Sequence, residues 1–376
     1  MRFDYAVMPA IIFAVGILIV WLSIRRLLWP TGNMSGKVSG KAQRMVRRVA
    51  LALVILCTVT VMVSSIMNAV AIRFFPGRNP PPEDIYLVGG HKMHIFCTGS
   101  GSPTIVLESG LGNDSFVWGR VQPALSRTTR VCSYDRAGYG YSDALPVPRD
   151  ADHIATELHA LLIQAKVVGP IVLMGHSMGG IYIRDYATRY PEEVAGLIFV
   201  DASTPLQGHA PTFKPGKRSP QWPTMLLTRL AYITNVPRLA GTCSWSRPDS
   251  DPPAWRLLAE GLCHPQFHAT MDESDSFDLS GEETIHTGPY GALPVLIFSH
   301  DPAKTKQLTN WEDAWSQMQE DLKKLSTRSR RIVARNSTHY VQLDRSQLVE
   351  NEVSRFIEQI RGTTPPAAIY GSTITE

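Results

Sequence analysis

Two long apolar runs open the chain, and shorter ones recur at intervals after them. Twenty residues without a formal charge lie between Asp4 and Arg25, and twenty-four more lie between Arg48 and Arg73. An α-helix rises about 1.5 Å per residue, so either run can cross a hydrocarbon core of about 30 Å. The pattern predicts two membrane helices within residues 1–75. A cleaved signal peptide fits the first run poorly, because Asp4 offsets Arg2, the run is long and no A-x-A site follows.

Past residue 75 the pattern changes. Pro76-Gly77-Arg78-Asn79-Pro80-Pro81-Pro82 cannot continue a helix and reads, over 76–84, as a stiff spacer. From Ile85 the chain shows a hairpin, with Gly89-Gly90 between Ile85–Val88 and His91–Thr98. Continuous apolar runs follow at Thr104–Glu108, Arg130–Tyr134, Ile171–Met174, Leu197–Val200, Val295–Ser299 and Arg331–Ala334. Amphipathic stretches at Asp152–Ala165, Gly180–Tyr190 and Trp311–Leu325 separate several of them, and Ser346–Arg361 predicts a last helix ending before Gly362. Strands that are apolar throughout, alternating with helices, indicate a mostly parallel sheet covered on both faces: an α/β class. The rhythm breaks between Pro205 and Pro289, where Trp222, Trp245, Trp255, Phe267 and Phe277 stand without strand–helix alternation. That interval, 205–289, reads as a mostly helical cap over the C-terminal edge of the sheet, with the core divided into 85–204 and 290–361 and a tail over 362–376.

Charge adds orientation. The chain carries a formal +4, and the stretch from Arg25 to Arg48 holds seven Lys or Arg and no acid. A basic loop between two spans favours the cytoplasmic side, which would put everything after Arg73 outside the cytoplasm. Apolar walls on both sides of the basic stretch argue against nucleic acid as a partner. Cys57 falls inside the second span, leaving Cys97, Cys132, Cys243 and Cys263, an even number that an oxidising compartment permits to pair.

The chemistry centres on Gly175-His176-Ser177-Met178-Gly179-Gly180, directly after a strand and before a helix. In that G-x-S-x-G context the turn leaves no room for side chains at 175 and 179 and lifts the Ser177 hydroxyl clear of the sheet. A serine hydroxyl needs a base. His339 follows the strand Arg331–Ala334 through a short loop, at the same edge as Ser177, whereas His176 is too close in the turn to serve. An orienting carboxylate is expected at Asp301, which follows Val295–Ser299 and keeps the order Ser…Asp…His; Asp201, after Leu197–Val200, is the rival, and Asp344 a weaker third candidate. The backbone amides of Met178 and of Leu111, in the turn Ser109-Gly110-Leu111-Gly112, are the candidate oxyanion donors.

From Ile85 to Arg361 the sequence resembles the α/β-hydrolase superfamily, in its capped esterase- and lipase-like branch. Tyr134-Asp135-Arg136-Ala137-Gly138-Tyr139-Gly140-Tyr141-Ser142-Asp143 resembles the D-x-x-G-x-G-x-S segment of that branch, with an architectural role for Asp135 and Arg136. Ser109-Gly110 stands where His-Gly is commoner. The resemblance implies that the second strand lies beside the fourth, making Cys97 and Cys132 neighbours and a disulfide between them a hypothesis. Serine at 177 argues against the related epoxide hydrolases and haloalkane dehalogenases, which use aspartate there. No H-E-x-x-H, paired C-x-x-C or G-x-x-x-x-G-K motif occurs, so no metal, nucleotide or other cofactor is implied. The expectation is a membrane-anchored serine hydrolase of a carboxylic ester, apolar or lipid-like. An amidase, peptidase or acyltransferase on the same triad, and a non-catalytic binding module, are the alternatives.

Overall fold

The computed structural model describes residues 16, 18, 21–22, 25, 40–74, 85–145, 147–208, 266–305, 309–363 and 370–376. The chain divides into two compact units. One contains helix α1 (Gly40–Phe74), which is 35 residues long and includes the whole charge-free run after Arg48. Within it the side chains are described without a break from 51 to 67, and among the described residues no helix is long and apolar enough to cross a membrane. The two expected spans are therefore not established by the fold. The first, between Asp4 and Arg25, lies mostly outside the described residues, as do the spacer over 76–84 and most of the expected cap.

The second unit is built on nine strands in the order β1-β2-β4-β3-β5-β6-β7-β8-β9. They are β1 (Ile85–Val88), β2 (His91–Thr98), β3 (Thr104–Glu108), β4 (Val131–Tyr134), β5 (Ile171–His176), β6 (Val194–Val200), β7 (Val295–Ser299), β8 (Ser329–Val333) and β9 (Thr373–Thr375). Antiparallel pairing is confined to β1–β2 and β2–β4, and every other neighbour is parallel. Every residue of β3, β4, β5 and β7 is buried, as strands covered on both faces must be. Successive side chains alternate between two cores. Val106, Leu173, Leu197, Phe199 and Ile297 face one, packed with helices α2 (Ala151–Gln164) and α3 (Gly179–Arg189). Ile105, Leu107, Val172, Met174, Ile198 and Phe298 face the other, packed with Trp118 and, through Val349, Val353, Phe356 and Ile357, with the C-terminal helix Ser346–Arg361.

Helix α2 starts on an Asp150 side chain that accepts the His153 N–H, and the C-terminal helix stops where Gly362 turns left-handed at φ +73°. Between Pro205 and Pro289 the described part holds a short 3-10 turn, Pro205–Gly208, and helices α4 (Phe267–Asp275) and α5 (Phe277–Thr284). Residues 209–265, with Trp222, Trp245, Trp255, Cys243 and Cys263, lie outside the described residues. Helices α6 (Thr309–Asp321) and α7 (Ser346–Arg361) complete the set used below. The tail expected over 362–376 contains β9, which pairs in parallel with β8 at Ile332↔Ile374. Cys97 and Cys132 stand opposite each other across β2 and β4 and are joined by a disulfide.

Candidate active site

The turn between β5 and α3 forces Ser177 into the left-handed region at φ +51°. A serine there stores roughly 1–3 kcal/mol of backbone strain, sustained only by its surroundings. Those surroundings are tight. A Cβ on Gly175 would lie 2.6 Å from the Gly179 carbonyl oxygen, and one on Gly179 would lie 2.6 Å from that of Glu108. The Ser177 carbonyl accepts N–H bonds from Gly180 at 3.0 Å and Ser203 at 2.8 Å, and its own N–H donates to Val200 O at 3.1 Å. Three strand exits thus hold the turn.

The structure brings His339 to Ser177. Nε2 of His339 lies 2.9 Å from Ser177 Oγ, and its Nδ1 lies 2.6 Å from Asp201 Oδ2. The carboxylate at this imidazole is therefore Asp201, not Asp301. Asp201 follows β6, is fully buried and takes a left-handed φ of +43°, which turns its side chain back over the strand ends. Asp301 points the other way. Its oxygens accept the backbone N–H groups of Ala303 and Asn336, each at 2.9 Å, so it ties the exit of β7 to the loop that carries His339. Successive residues of an extended segment face opposite sides, and His300 takes the inward position beside Asp201. Asp344 likewise supports the His339 loop, accepting the N–H and hydroxyl of Thr338 at 2.7 and 2.6 Å.

Burial alone would raise the pKa of Asp201. Hydrogen bonds from His300 and His339, together with their charge, outweigh it and hold the carboxyl below its ordinary range. His176 is fully buried, with Nε2 3.0 Å from the carbonyl oxygen of His339, and burial pushes its pKa down to about 3. It braces the backbone of His339 as a neutral ring.

Met178 follows the serine in the chain, and Leu111 follows Gly110, where an added Cβ would lie 2.9 Å from Ser177 Cβ. Met178 stands at the start of α3, where helix N–H groups lack intrahelical partners. Among the described residues no protein acceptor takes the amide of either Leu111 or Met178. The Leu111 turn is held from below by Arg136. This buried guanidinium donates to Ser109 O at 2.6 Å and Gly110 O at 2.9 Å, and pairs with Glu108 and Glu273 at 2.7 Å each. Tyr139 donates to Glu273 at 2.9 Å, and Tyr134 to Glu108. Burial raises Glu108 to about 7 despite the nearby Arg136 charge. The partners of Arg136 leave no local mark in the sequence, because Glu108, Ser109 and Glu273 come from distant segments. Asp135 is architectural too: it accepts from Ser115 N and Tyr141 N, and meets Nδ1 of the buried His94.

A hydroxyl bonded to an imidazole that is itself bonded to a buried carboxylate can lose its proton as it attacks a carbonyl. Among the described residues no cluster of His, Cys, Asp and Glu has the arrangement of a metal site.

Comparison with known proteins agrees with this architecture. The family model described as "Alpha/beta hydrolase family" matches residues 105–352. An uncharacterized protein of Schizosaccharomyces pombe is 27% identical over 311 residues, 72% of this chain and 55% of that protein. The chain thus spans about half the length of that relative. Among solved structures, an esterase from Exiguobacterium antarcticum superposes with a TM-score of 0.56 at 19% identity, covering 73% of this chain and 99% of the esterase. The enol-lactonase from Burkholderia xenovorans gives 0.53 at 18% identity, covering 72% and 98%. At such identities the likeness is one of fold.

Proposed function

The chain belongs to the alpha/beta hydrolase family, and we propose that within it the protein is a serine hydrolase of carboxylic esters, working through an acyl-enzyme. The observation that carries this reading is the hydrogen-bonded series Ser177 Oγ, His339 Nε2, His339 Nδ1 and Asp201 Oδ2. Ser177 Oγ attacks the ester carbonyl carbon while His339 Nε2 takes its proton. The oxyanion that forms is held by the amides of Leu111 and Met178. As the tetrahedral intermediate collapses, the bond to the alcohol oxygen breaks and His339 returns the proton to it. Water, deprotonated by His339, then repeats the sequence and frees the acid. Asp201 holds the imidazole in the tautomer with a proton on Nδ1 and stabilises the imidazolium between steps.

The substrate class is drawn from three features. Ser177 replaces the aspartate that alkyl-halide and epoxide chemistry needs. Phe277 and Leu111 pack beside Met178 and Ile181, so the described part of the approach is apolar. The N-terminal unit supports a membrane location, with the hydrolase on the side away from the basic loop. Along α1, Leu53, Leu56, Val63 and Ile66 are exposed. The hydroxyls of Thr58, Thr60 and Ser65 each bond to the carbonyl four residues earlier at 2.8 Å, which satisfies them without water. A Cβ on Gly16 would lie 2.8 Å from Met62 Sδ, a close approach of the kind small residues permit between membrane helices. The Cys97–Cys132 disulfide suits an oxidising compartment.

The test is hydrolysis of p-nitrophenyl esters of increasing acyl length by the detergent-solubilised full chain, beside carbonate extraction of membranes that express it. Turnover that rises with chain length and is abolished in Ser177→Ala supports the reading, as does retention in the pellet. Hydrolysis that survives in Ser177→Ala overturns it, and release by carbonate removes the anchor.

A further inference from the structure

The carboxylate beside His339 is shared with a second imidazole. His300 follows β7 and is 2% exposed. Its Nδ1 lies 2.9 Å from both oxygens of Asp201, and its backbone N–H donates to Oδ1 at 3.1 Å. The other ring nitrogen, Nε2, lies 3.0 Å from Glu312 Oε2 on α6. Trp315, one turn further along that helix, donates its indole N–H to Asp201 Oδ1 at 3.0 Å. Trp311 stacks near the His300 ring at a centroid distance of 6.4 Å. Among the described residues, the ionisable groups facing His300 include Asp201 from the end of β6, Glu312 from α6 and, across Asp201, His339 after β8. Asp301, next in the chain, turns to the backbone of Ala303 and Asn336.

A neutral imidazole carries a single N–H. Between two carboxylates, whichever nitrogen lacked a proton would set its lone pair against a carboxylate oxygen. Two N–H donors remove that repulsion, and two donors make the ring a cation. We propose that His300 is a positioning residue for the Ser177–His339–Asp201 unit, standing as an imidazolium between Asp201 and Glu312 and fixing the direction and the effective charge of the Asp201 carboxylate.

This inference rests on the serine-hydrolase reading, since it assigns a role within that site. Asp201 accepts from His339, from Trp315 and twice from His300, so its orientation is determined by three separate segments. A positive charge on the far side of Asp201 also offsets part of the negative charge that the carboxylate presents to His339. Burial lowers the pKa of His300, but the bonds and charge of Asp201, and after them those of Glu312, outweigh it and raise the value to about 9.

The experiment uses the full chain in detergent, as wild type and as His300→Gln and Glu312→Gln. Gln at 300 keeps an amide donor without the charge. Nitrogen NMR of the ring, assigned by its loss in His300→Gln, should find both nitrogens of His300 protonated at pH 7, with one deprotonating more readily in Glu312→Gln. The rate of labelling by a fluorophosphonate, followed against pH, should show its acid limb raised by about one pH unit in His300→Gln, the shift a nearby charge produces. A singly protonated ring at pH 7 overturns the proposal. So does an acid limb in His300→Gln that coincides with the wild type while the melting temperature falls, because that pattern is structural support alone. If no serine labels at any pH, the hydrolase reading fails, while the ring measurement still reports the charge of His300. A protonated ring would then be a structural clamp, which also overturns the positioning role.

Discussion

Asp201 and His339, 138 positions apart in sequence, meet at 2.6 Å at the C-terminal edge of the sheet. Their contact joins the exits of β6 and β8 and passes by β7, the strand between them, whose own carboxylate Asp301 faces outward. Two aspartates therefore have separable roles. Asp201→Asn should lower kcat for an ester by roughly 10³-fold or more, as removal of a triad carboxylate does. Asp301→Asn keeps one acceptor oxygen, so it loses one of two exposed hydrogen bonds to loop backbone and should change kcat less than about tenfold. Steady-state kinetics on both variants decides the assignment.

The Arg136 pair network should matter to both stability and rate. Arg136→Met leaves Glu108 and Glu273 buried without their cation, and breaking such a pair from one side costs about 3–5 kcal/mol. Urea unfolding of the variant should show that loss. Because Arg136 also holds Ser109 O and Gly110 O, the folded fraction should turn over more slowly, with kcat affected more than KM. An Arg136→Met protein with wild-type kcat would show that the Leu111 turn keeps its shape without it.

How much of this was legible beforehand follows from how local each signal is. The strand–turn–helix around Ser177 is encoded within ten residues, and His339 is marked by its place between a strand and the last helix. Choosing between Asp201 and Asp301 needed information the pattern does not carry. Both end neighbouring strands, and the outcome turns on a positive φ at Asp201 and on which of His300 and Asp301 faces inward. The run Ser299-His300-Asp301 held a clue, since neighbours on an extended strand end cannot both face the site. β9 escaped notice because a three-residue edge strand in a Pro/Thr-rich tail has no periodicity to read. The Glu108–Arg136–Glu273 network joins three remote segments and leaves no local mark.

Acid should destabilise the fold partly through His176. Its folded value of about 3 lies below the ordinary histidine value of 6.5. Between those values the unfolded chain binds a proton that the folded chain does not, so stability rises with pH across the window. The contribution is complete above about 6.5 and is lost as the pH falls toward 3. Glu108, raised to about 7, works the opposite way between 4.5 and 7, so the comparison must be with a variant. The stability of His176→Asn relative to wild type should therefore improve as the pH falls from 7 to 4, measured by urea midpoints at each pH. A constant difference would show that His176 does not titrate as described.

The Cys97–Cys132 disulfide closes a loop across β2 and β4. Replacing both cysteines by serine should cost about 2–4 kcal/mol, the usual range for such a crosslink. Calorimetry of the double variant beside reduced wild type checks this. Equal melting temperatures for oxidised and reduced wild type would contradict it.

If Ser177 is an activated nucleophile, it should be the residue that an active-site-directed reagent modifies. The full chain, in membranes, is treated with a fluorophosphonate and the labelled peptide is identified by mass spectrometry. One adduct is expected, on Ser177, absent from Ser177→Ala and from heat-denatured protein and slowed in Asp201→Asn. A folded wild type that takes no label, or a label that maps to another serine, would contradict it.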